Sequence, residues 1–156
     1  MHEITFTRLT AIDPAEIIAQ MSDPRVAEHM PLLNFEWDEA AVAQFVSTKE
    51  ACWNRDGLGH WAIQSNNDYV GWGGFQKEGD EWDFGLVLKP HCFGLGVRIS
   101  KKAIDFAIAD KRIPFVTFLL PPSRRNIGAL RRLGAVFVGE VEYAGAAFLK
   151  FRLETE

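Results

Sequence analysis

The sequence predicts a mixed α/β fold, α+β in character: a mostly antiparallel sheet of about seven strands, one parallel βαβ crossover and flanking helices. Three observations carry this. The first third of the chain holds three helix-start signals: Asp13-Pro14, Asp23-Pro24, and Asp38 ahead of an apolar stripe. Residues 59–88 hold three strand patterns separated only by turn residues. An amphipathic segment over 97–110 then separates strand 81–88 from the apolar run 114–120, the layout of a right-handed parallel crossover.

Taken in order, Ile4-Thr5-Phe6-Thr7-Arg8-Leu9 alternates apolar and polar, as a half-buried strand does. Asp13 is a good N-cap and Pro14 suits a first helical position, so a helix runs to about Met21. Asp23-Pro24 repeats the signal for a short helix over 25–30, stopped by Pro31, and 32–37 reads as a loop. Asp38 caps a third helix with Ala41, Phe45, Thr48 and Cys52 along one stripe. Segments 59–64, 69–76 and 81–88 form an antiparallel meander, turned at 65–68 and at Gly79-Asp80. A glycine-containing loop over 89–96 opens a helix faced by Val97, Lys101, Ile104 and Ile108. Strand 114–120 is stopped by Pro121-Pro122. A basic helix spans about 125–133, closed by Gly134. A hairpin over 136–142 and 146–153 turns at Ala144-Gly145.

Length and charge narrow the function classes. The 156 residues suit a single domain spanning 1–156. With 47% hydrophobic and 24% charged residues, the chain has enough apolar surface to offset ordering entropy. A net charge of −4 argues against a nucleic-acid-binding domain and against an anionic membrane surface. Cys52 and Cys92 stand alone, with no CxxC and no HExxH, so neither a disulfide framework nor a metal site is expected. No leader-like or membrane-length apolar run occurs, and a soluble cytoplasmic protein is the expectation.

The segment His91 to Gly96 carries the chemistry. A helix N-terminus presents unpaired N–H groups and partial positive charge, and Gly94 and Gly96 let a bulky anion approach that backbone. Pyrophosphate is the natural guest; a plain strand-to-helix turn is the alternative. The segment is neither a Walker loop, since no GK[ST] follows, nor a dinucleotide fingerprint, since Ile99 takes the third glycine position.

His91-Cys92-Phe93-Gly94-Leu95-Gly96 resembles the R/Q-x-x-G-x-G/A signature of the GNAT superfamily of N-acetyltransferases, with His91 at the signature's first position. The resemblance spans nearly the whole chain and is closest to the RimJ/RimL-like branch. Segments 22–31, Trp61-Ala62-Ile63, Tyr69-Val70-Gly71, Asp83-Phe84-Gly85-Leu86-Val87-Leu88-Lys89-Pro90 and 123–135 resemble that branch's motifs in order and spacing. Ala135 replaces the phenylalanine that ends the last motif. Leu130 stands where many members carry a tyrosine general acid.

The resemblance implies a GNAT-like fold that transfers acetyl from acetyl-CoA to a primary amine, a protein N-terminus or a small molecule. It implies a coenzyme site at Leu86, Val87 and Leu88, at Phe93, Gly94, Leu95, Gly96, Val97 and Arg98, and at Asn126. Asp83 takes the place of a family glutamate and is the candidate base; Glu81 is second to it, and Asp83 as a solvated strand carboxylate is the alternative. Ser123 and Asn126 are the candidate hydrogen-bond donors to the leaving thiolate, while Trp37, His60 and Trp72 are the candidate acceptor-site residues. His91 is read as shaping the loop. The basic residues Arg124, Arg125, Arg131 and Arg132 either complement the helix end or meet a phosphate. No metal is implied, and a homodimer is left open. The rival functions are a non-catalytic acyl-CoA-binding module and an interaction domain on the same fold.

Overall fold

The computed structural model describes residues 3–28, 30, 33, 35–122 and 128–155. Seven strands make one sheet in the order β1-β2-β3-β4-β5-β7-β6. They are β1 Ile4–Thr7, β2 His60–Ser65, β3 Asp68–Glu78, β4 Glu81–Leu88, β5 Phe115–Leu120, β6 Val136–Tyr143 and β7 Ala146–Glu154. Only β4 and β5 pair in parallel; the other neighbours are antiparallel. The helices are α1 Pro14–Met21, α2 Pro24–Ala27, α3 Glu39–Asp56, α4 Gly96–Ala109 and α5 Gly128–Arg132. The predicted mixed sheet with one crossover is the one observed.

The capping signals act as read. Asp13 accepts from the Ala15 N–H, Asp23 from Arg25 and Asp38 from Ala41, each satisfying a donor the helix leaves free. Three details differ from expectation, and the structure adds the end of the third helix. The second helix ends at Ala27 rather than 30, because Met30 precedes Pro31 and a residue before proline is pushed out of the helical region. The third helix runs past Cys52 to Asp56, where Gly57 takes a left-handed φ of 75° and returns its N–H to Trp53 O. The first strand stops at Thr7, since Leu9–Ala11 winds into a 3-10 turn. The loop ahead of α4 is itself a 3-10 helix over Pro90–Leu95. Two of the three predicted hairpin turns have two consecutive positive φ values, at Asn66 and Asn67 and at Ala144 and Gly145; the third has one, at Gly79.

Each face of the sheet is covered differently. On one side α4 contributes Ala103, Ile104 and Ala107 to a core with Trp61, Phe75, Trp82, Phe84, Val116, Phe118 and Phe151. On the other, α1, α2 and α3 place Ile17, Met21, Val26, Val42 and Phe45 against Ala62, Tyr69, Trp72 and Val87. Strand alternation therefore sends Glu81, Asp83, Gly85 and Val87 toward the α1–α3 side. Among the described residues, no helix is long and apolar enough to cross a membrane.

Candidate active site

The site begins where β4 and β5 part. Their parallel register holds only at Trp82↔Val116 and Asp83↔Thr117. Beyond it β5 stays paired with β7 out to Leu120↔Leu149, and β4 stays paired with β3 out to Gly71↔Leu88. A gap therefore opens after Asp83. The Lys89 N–H donates to Val70 O, which fixes the phase of the β3–β4 ladder. Asp83, Gly85 and Val87 turn their backbone groups toward β3, and Leu86 and Leu88 turn theirs toward the gap. Of the three expected strand residues, Val87 is thus engaged elsewhere: its carbonyl accepts from Gln20 Nε2 at 2.9 Å and its side chain packs under α1 and α3.

Asp83 sits at the apex of this split. Thr117 Oγ1 donates to its Oδ1 at 3.0 Å. Burial pushes the Asp83 carboxyl up to about 7; the Thr117 hydrogen bond pulls it down, and Glu78 and Glu81 push it further up. Part of the residue still reaches solvent. Glu81 is instead paired with Lys150 at 2.7 Å. The Tyr143 hydroxyl donates to Glu78 Oε1 at 3.0 Å, so the β6–β7 hairpin reaches the β3–β4 hairpin on this side.

His60 starts β2 and is buried, with no hydrogen-bond partner for Nδ1 among the described residues. Burial holds the imidazole well below its usual range, and the nearby Lys49 cation acts in the same sense, so the ring is neutral. The ring lies beside Gly85: a Cβ there would stand 3.6 Å from His60 Cε1 and 3.7 Å from Nε2. It also tilts against Trp72 at 5.5 Å. Lys49, from α3, holds its ammonium 5.1 Å from the Trp72 ring and 5.6 Å from Phe45, and donates to Gln76 Oε1 at 3.0 Å.

The expected aromatic walls are core side chains. Trp72 is buried, with its indole N–H on Met21 Sδ, and Trp37 is buried, with its indole N–H on Leu33 O. Phe35 stacks over Trp37 at 4.8 Å and is the exposed member of that pair.

At the other end of β4, Phe93, Gly94, Val97 and Arg98 are exposed, and Leu95 and Gly96 half-buried, at the start of α4. A Cβ on Gly94 would meet nothing within 4 Å. A groove of about 1130 Å³ runs along this loop on its β3 side, with His91, Arg98 and Lys101 on one wall and Asn66 and Asp68 on the other. The split opens on the β5 side of the same loop. Ser123, Arg124, Arg125 and Asn126 lie outside the described residues. Among the described residues, no three His, Cys, Asp or Glu side chains gather as a metal site.

Three participants escaped the sequence reading. Thr117 lies in an apolar strand, where its alternation with Val116 and Phe118 was the available signal. Gln20 lies on the apolar stripe of α1 between Ile17 and Met21, a polar residue where none is needed for solvation. Lys49 follows Phe45 by one helical turn on the buried side of α3.

A model of the acetyltransferase (GNAT) domain family matches residues 3–136. Among solved structures, an acetyltransferase from Agrobacterium tumefaciens str. C58 is similar with a TM-score of 0.77 at 17% identity, over 97% of this chain and 90% of that one. A GNAT-family acetyltransferase from Bacillus anthracis gives 0.77 at 14% identity, over 99% and 97%. AAC(6')-Ib in complex with paromomycin and acetyl-CoA gives 0.79 at 14% identity, over 97% and 93%. At these identities the likeness is one of fold.

Proposed function

The chain belongs to the acetyltransferase (GNAT) domain family, and on that premise we propose that it moves the acetyl group of acetyl-CoA onto a primary amine by direct attack of the amine on the thioester. The observation that carries this reading is the split between β4 and β5, with the Asp83 carboxyl at its apex and residues 93–98 at its mouth.

The residues present fit the coenzyme. Gly94 leaves its side of the loop open, and the backbone edge of Leu86 and Leu88 is free to pair with an amide-bearing chain as a strand would. Acetyl-CoA, when bound, supplies the activated acyl carbon and a thiolate leaving group. Arg98 and the positive end of the α4 dipole would hold its diphosphate; the loop's N–H groups are drawn into the 3-10 turn, where the Gly96 N–H donates to Phe93 O. The Leu86 N–H, turned toward the split, would stabilise the negative charge that develops on the thioester oxygen. Asp83 takes the proton of the acceptor ammonium, and a carboxyl near 7 is matched to that work around neutral pH. His60, neutral and with an unpartnered ring nitrogen, orients the acceptor beside Gly85. Phe35 forms the outer wall, over Trp37. Ser123 and Asn126, outside the described residues, are the candidates to share hydrogen bonding to the departing sulfur.

The acceptor is a protein N-terminus or a small-molecule amine. The RimJ/RimL-like segments are compatible with either, and AAC(6')-Ib, complexed with paromomycin, is an instance of the second. One observation favours a second reading, a non-catalytic acyl-CoA-binding module: Leu130 packs on the main core where many relatives present a tyrosine hydroxyl. Calorimetry with acetyl-CoA, followed by thiol release with peptides bearing free N-termini and with polyamines and aminoglycosides, separates these. Binding with release above the hydrolysis background supports transfer. Binding without release on any amine supports the module, and absence of binding removes both.

A further inference from the structure

We propose that Lys49 is itself an acceptor: supplied with acetyl-CoA and no other amine, the domain acetylates the Nζ of its own Lys49. The inference rests on the acetyl-transfer reading above. Lys49 is held by two rings and a neutral amide rather than by a carboxylate. Its position follows from the strand register. The ammonium lies over Trp72, whose cross-strand partner is Val87, and is bonded to Gln76, whose partner is Asp83. It therefore stands above the row between them, Gly74 and Gly85. Gly85 adds no side chain to that row, which it shares with the His60 ring, 3.6 Å from where a Gly85 Cβ would stand. Gly85 is also two residues past the last rung joining β4 to β5. A thioester held along the edge of β4 past that rung would reach the α3 side of the sheet at this row, under the Lys49 amine.

The amine is suited to attack. Burial pushes Lys49 down to about 8, against the opposing charges of Cys52, Glu78 and Asp83, so free amine is present in mildly alkaline solution. His60, the remaining titratable neighbour, is neutral. In the step, the Nζ lone pair forms a bond to the acetyl carbon and the C–S bond breaks. The sulfur leaves with the bonding pair as CoA thiolate, and Asp83 takes the proton lost by Nζ. The product has no charge at Nζ and fills the row an external amine would use.

The test uses the full chain with acetyl-CoA alone at mildly alkaline pH, read by intact mass and peptide mapping. One acetyl group at Lys49 is expected, saturating with acetyl-CoA and at least ~10-fold faster than at the exposed Lys111. Gly94→Asp, which weakens coenzyme binding, should lower the Lys49 rate toward the Lys111 rate at acetyl-CoA concentrations below the variant's Kd, and Lys49→Arg should leave no fast site. Lys49 unmodified while calorimetry shows acetyl-CoA bound would overturn the inference and leave the transfer reading standing. Equal Lys49 acetylation in Gly94→Asp would overturn it too, by showing reaction from bulk solution. Absence of acetyl-CoA binding would remove both.

Discussion

Thr117 Oγ1 donates a hydrogen bond to Asp83 Oδ1 at the last rung where β4 and β5 still pair. The register places the two residues directly opposite each other, so the hydroxyl both closes the apex of the split and fixes the carboxylate at it. The bond favours the ionised form, in opposition to burial and to the charges of Glu78 and Glu81. The balance leaves a carboxyl that changes state around neutral pH.

Thr117→Val tests that balance. Valine keeps the shape of this buried residue and removes the donor. Loss of a hydrogen bond to the charged form raises the Asp83 pKa further, so less carboxylate is present at pH 7. The acidic limb of kcat/KM should move up by roughly one pH unit, the scale of a hydrogen bond to a charged acceptor. Activity at pH 9 should approach that of the wild type. A limb that stays in place would detach Thr117 from the titration.

Asp83→Asn should separate stability from turnover. The folded carboxyl titrates near 7, above its ordinary value of 3.8. Between those values the native state binds more protons than the unfolded one, so stability falls as pH rises through that window. Asparagine carries no such penalty. The variant should be more stable above pH 7, by roughly 1–3 kcal/mol, while turnover falls by ~100-fold or more. Thermal melts across pH and thiol-release rates read the two effects. A wild-type turnover in Asp83→Asn would remove Asp83 from the base role.

The fold was legible because its signals are local. Asp-Pro caps, strand alternation and paired turn residues each act over a few positions, and the crossover rule orders them. The boundaries missed were those set by a neighbour outside the pattern, such as the 3-10 turn at Leu9–Ala11 that ends β1 at Thr7. The site was legible only in part. Asp83 and the 93–98 loop lie in recognisable segments, but the contacts around them join positions far apart in the chain. Thr117 lies 34 residues from Asp83, and Gln20 lies 67 residues from the Val87 carbonyl it holds. No period or spacing encodes such pairs. Trp37 and Trp72 show the converse: a tryptophan near a presumed cleft gives no sign of which way its ring is packed.

Tyr69→Phe probes the strut from α1 to the sheet. The Tyr69 hydroxyl donates to Gln20 Oε1 at 2.5 Å, and Gln20 Nε2 donates to Val87 O. Removing the hydroxyl leaves a buried amide oxygen without its donor, at a cost of about 1–3 kcal/mol. Denaturant unfolding should show that loss. In Tyr69→Phe/Gln20→Leu, much of it should return, since no orphaned polar atom remains.

The glycines of the β3–β4 pair should divide into two kinds. At Gly73 a Cβ would lie 2.4 Å from Gly85 O, a backbone atom that cannot turn aside. Gly73→Ala should therefore force the strands apart and cost at least ~2 kcal/mol. At Gly85 the nearest atom would be His60 Cε1 at 3.6 Å, an ordinary contact. Gly85→Ala should fold with near-wild-type stability but narrow the row beside His60, raising KM for a bulky amine more than for a small one. Equal melting temperatures for the two variants would contradict the division.

Gly94→Asp addresses the coenzyme directly. The residue is exposed, has no positive φ, and its Cβ would enter open space, so the variant should fold with an unchanged melting curve. The new carboxylate would lie at the mouth of α4, where helix N–H groups favour an anion and a diphosphate would compete for the same place. Two negative groups in partial contact repel by an amount that costs ~10- to 100-fold in affinity for acetyl-CoA. Two controls assign the cause. Gly94→Ala adds bulk without charge and should bind within a few-fold of the wild type. Added salt screens the repulsion, so the deficit of Gly94→Asp should shrink as ionic strength rises. Calorimetry reads all three. Equal affinity in Gly94→Asp and wild type would move the diphosphate away from residues 93–98; equal losses in Gly94→Ala and Gly94→Asp would make the loop's need one of space rather than charge.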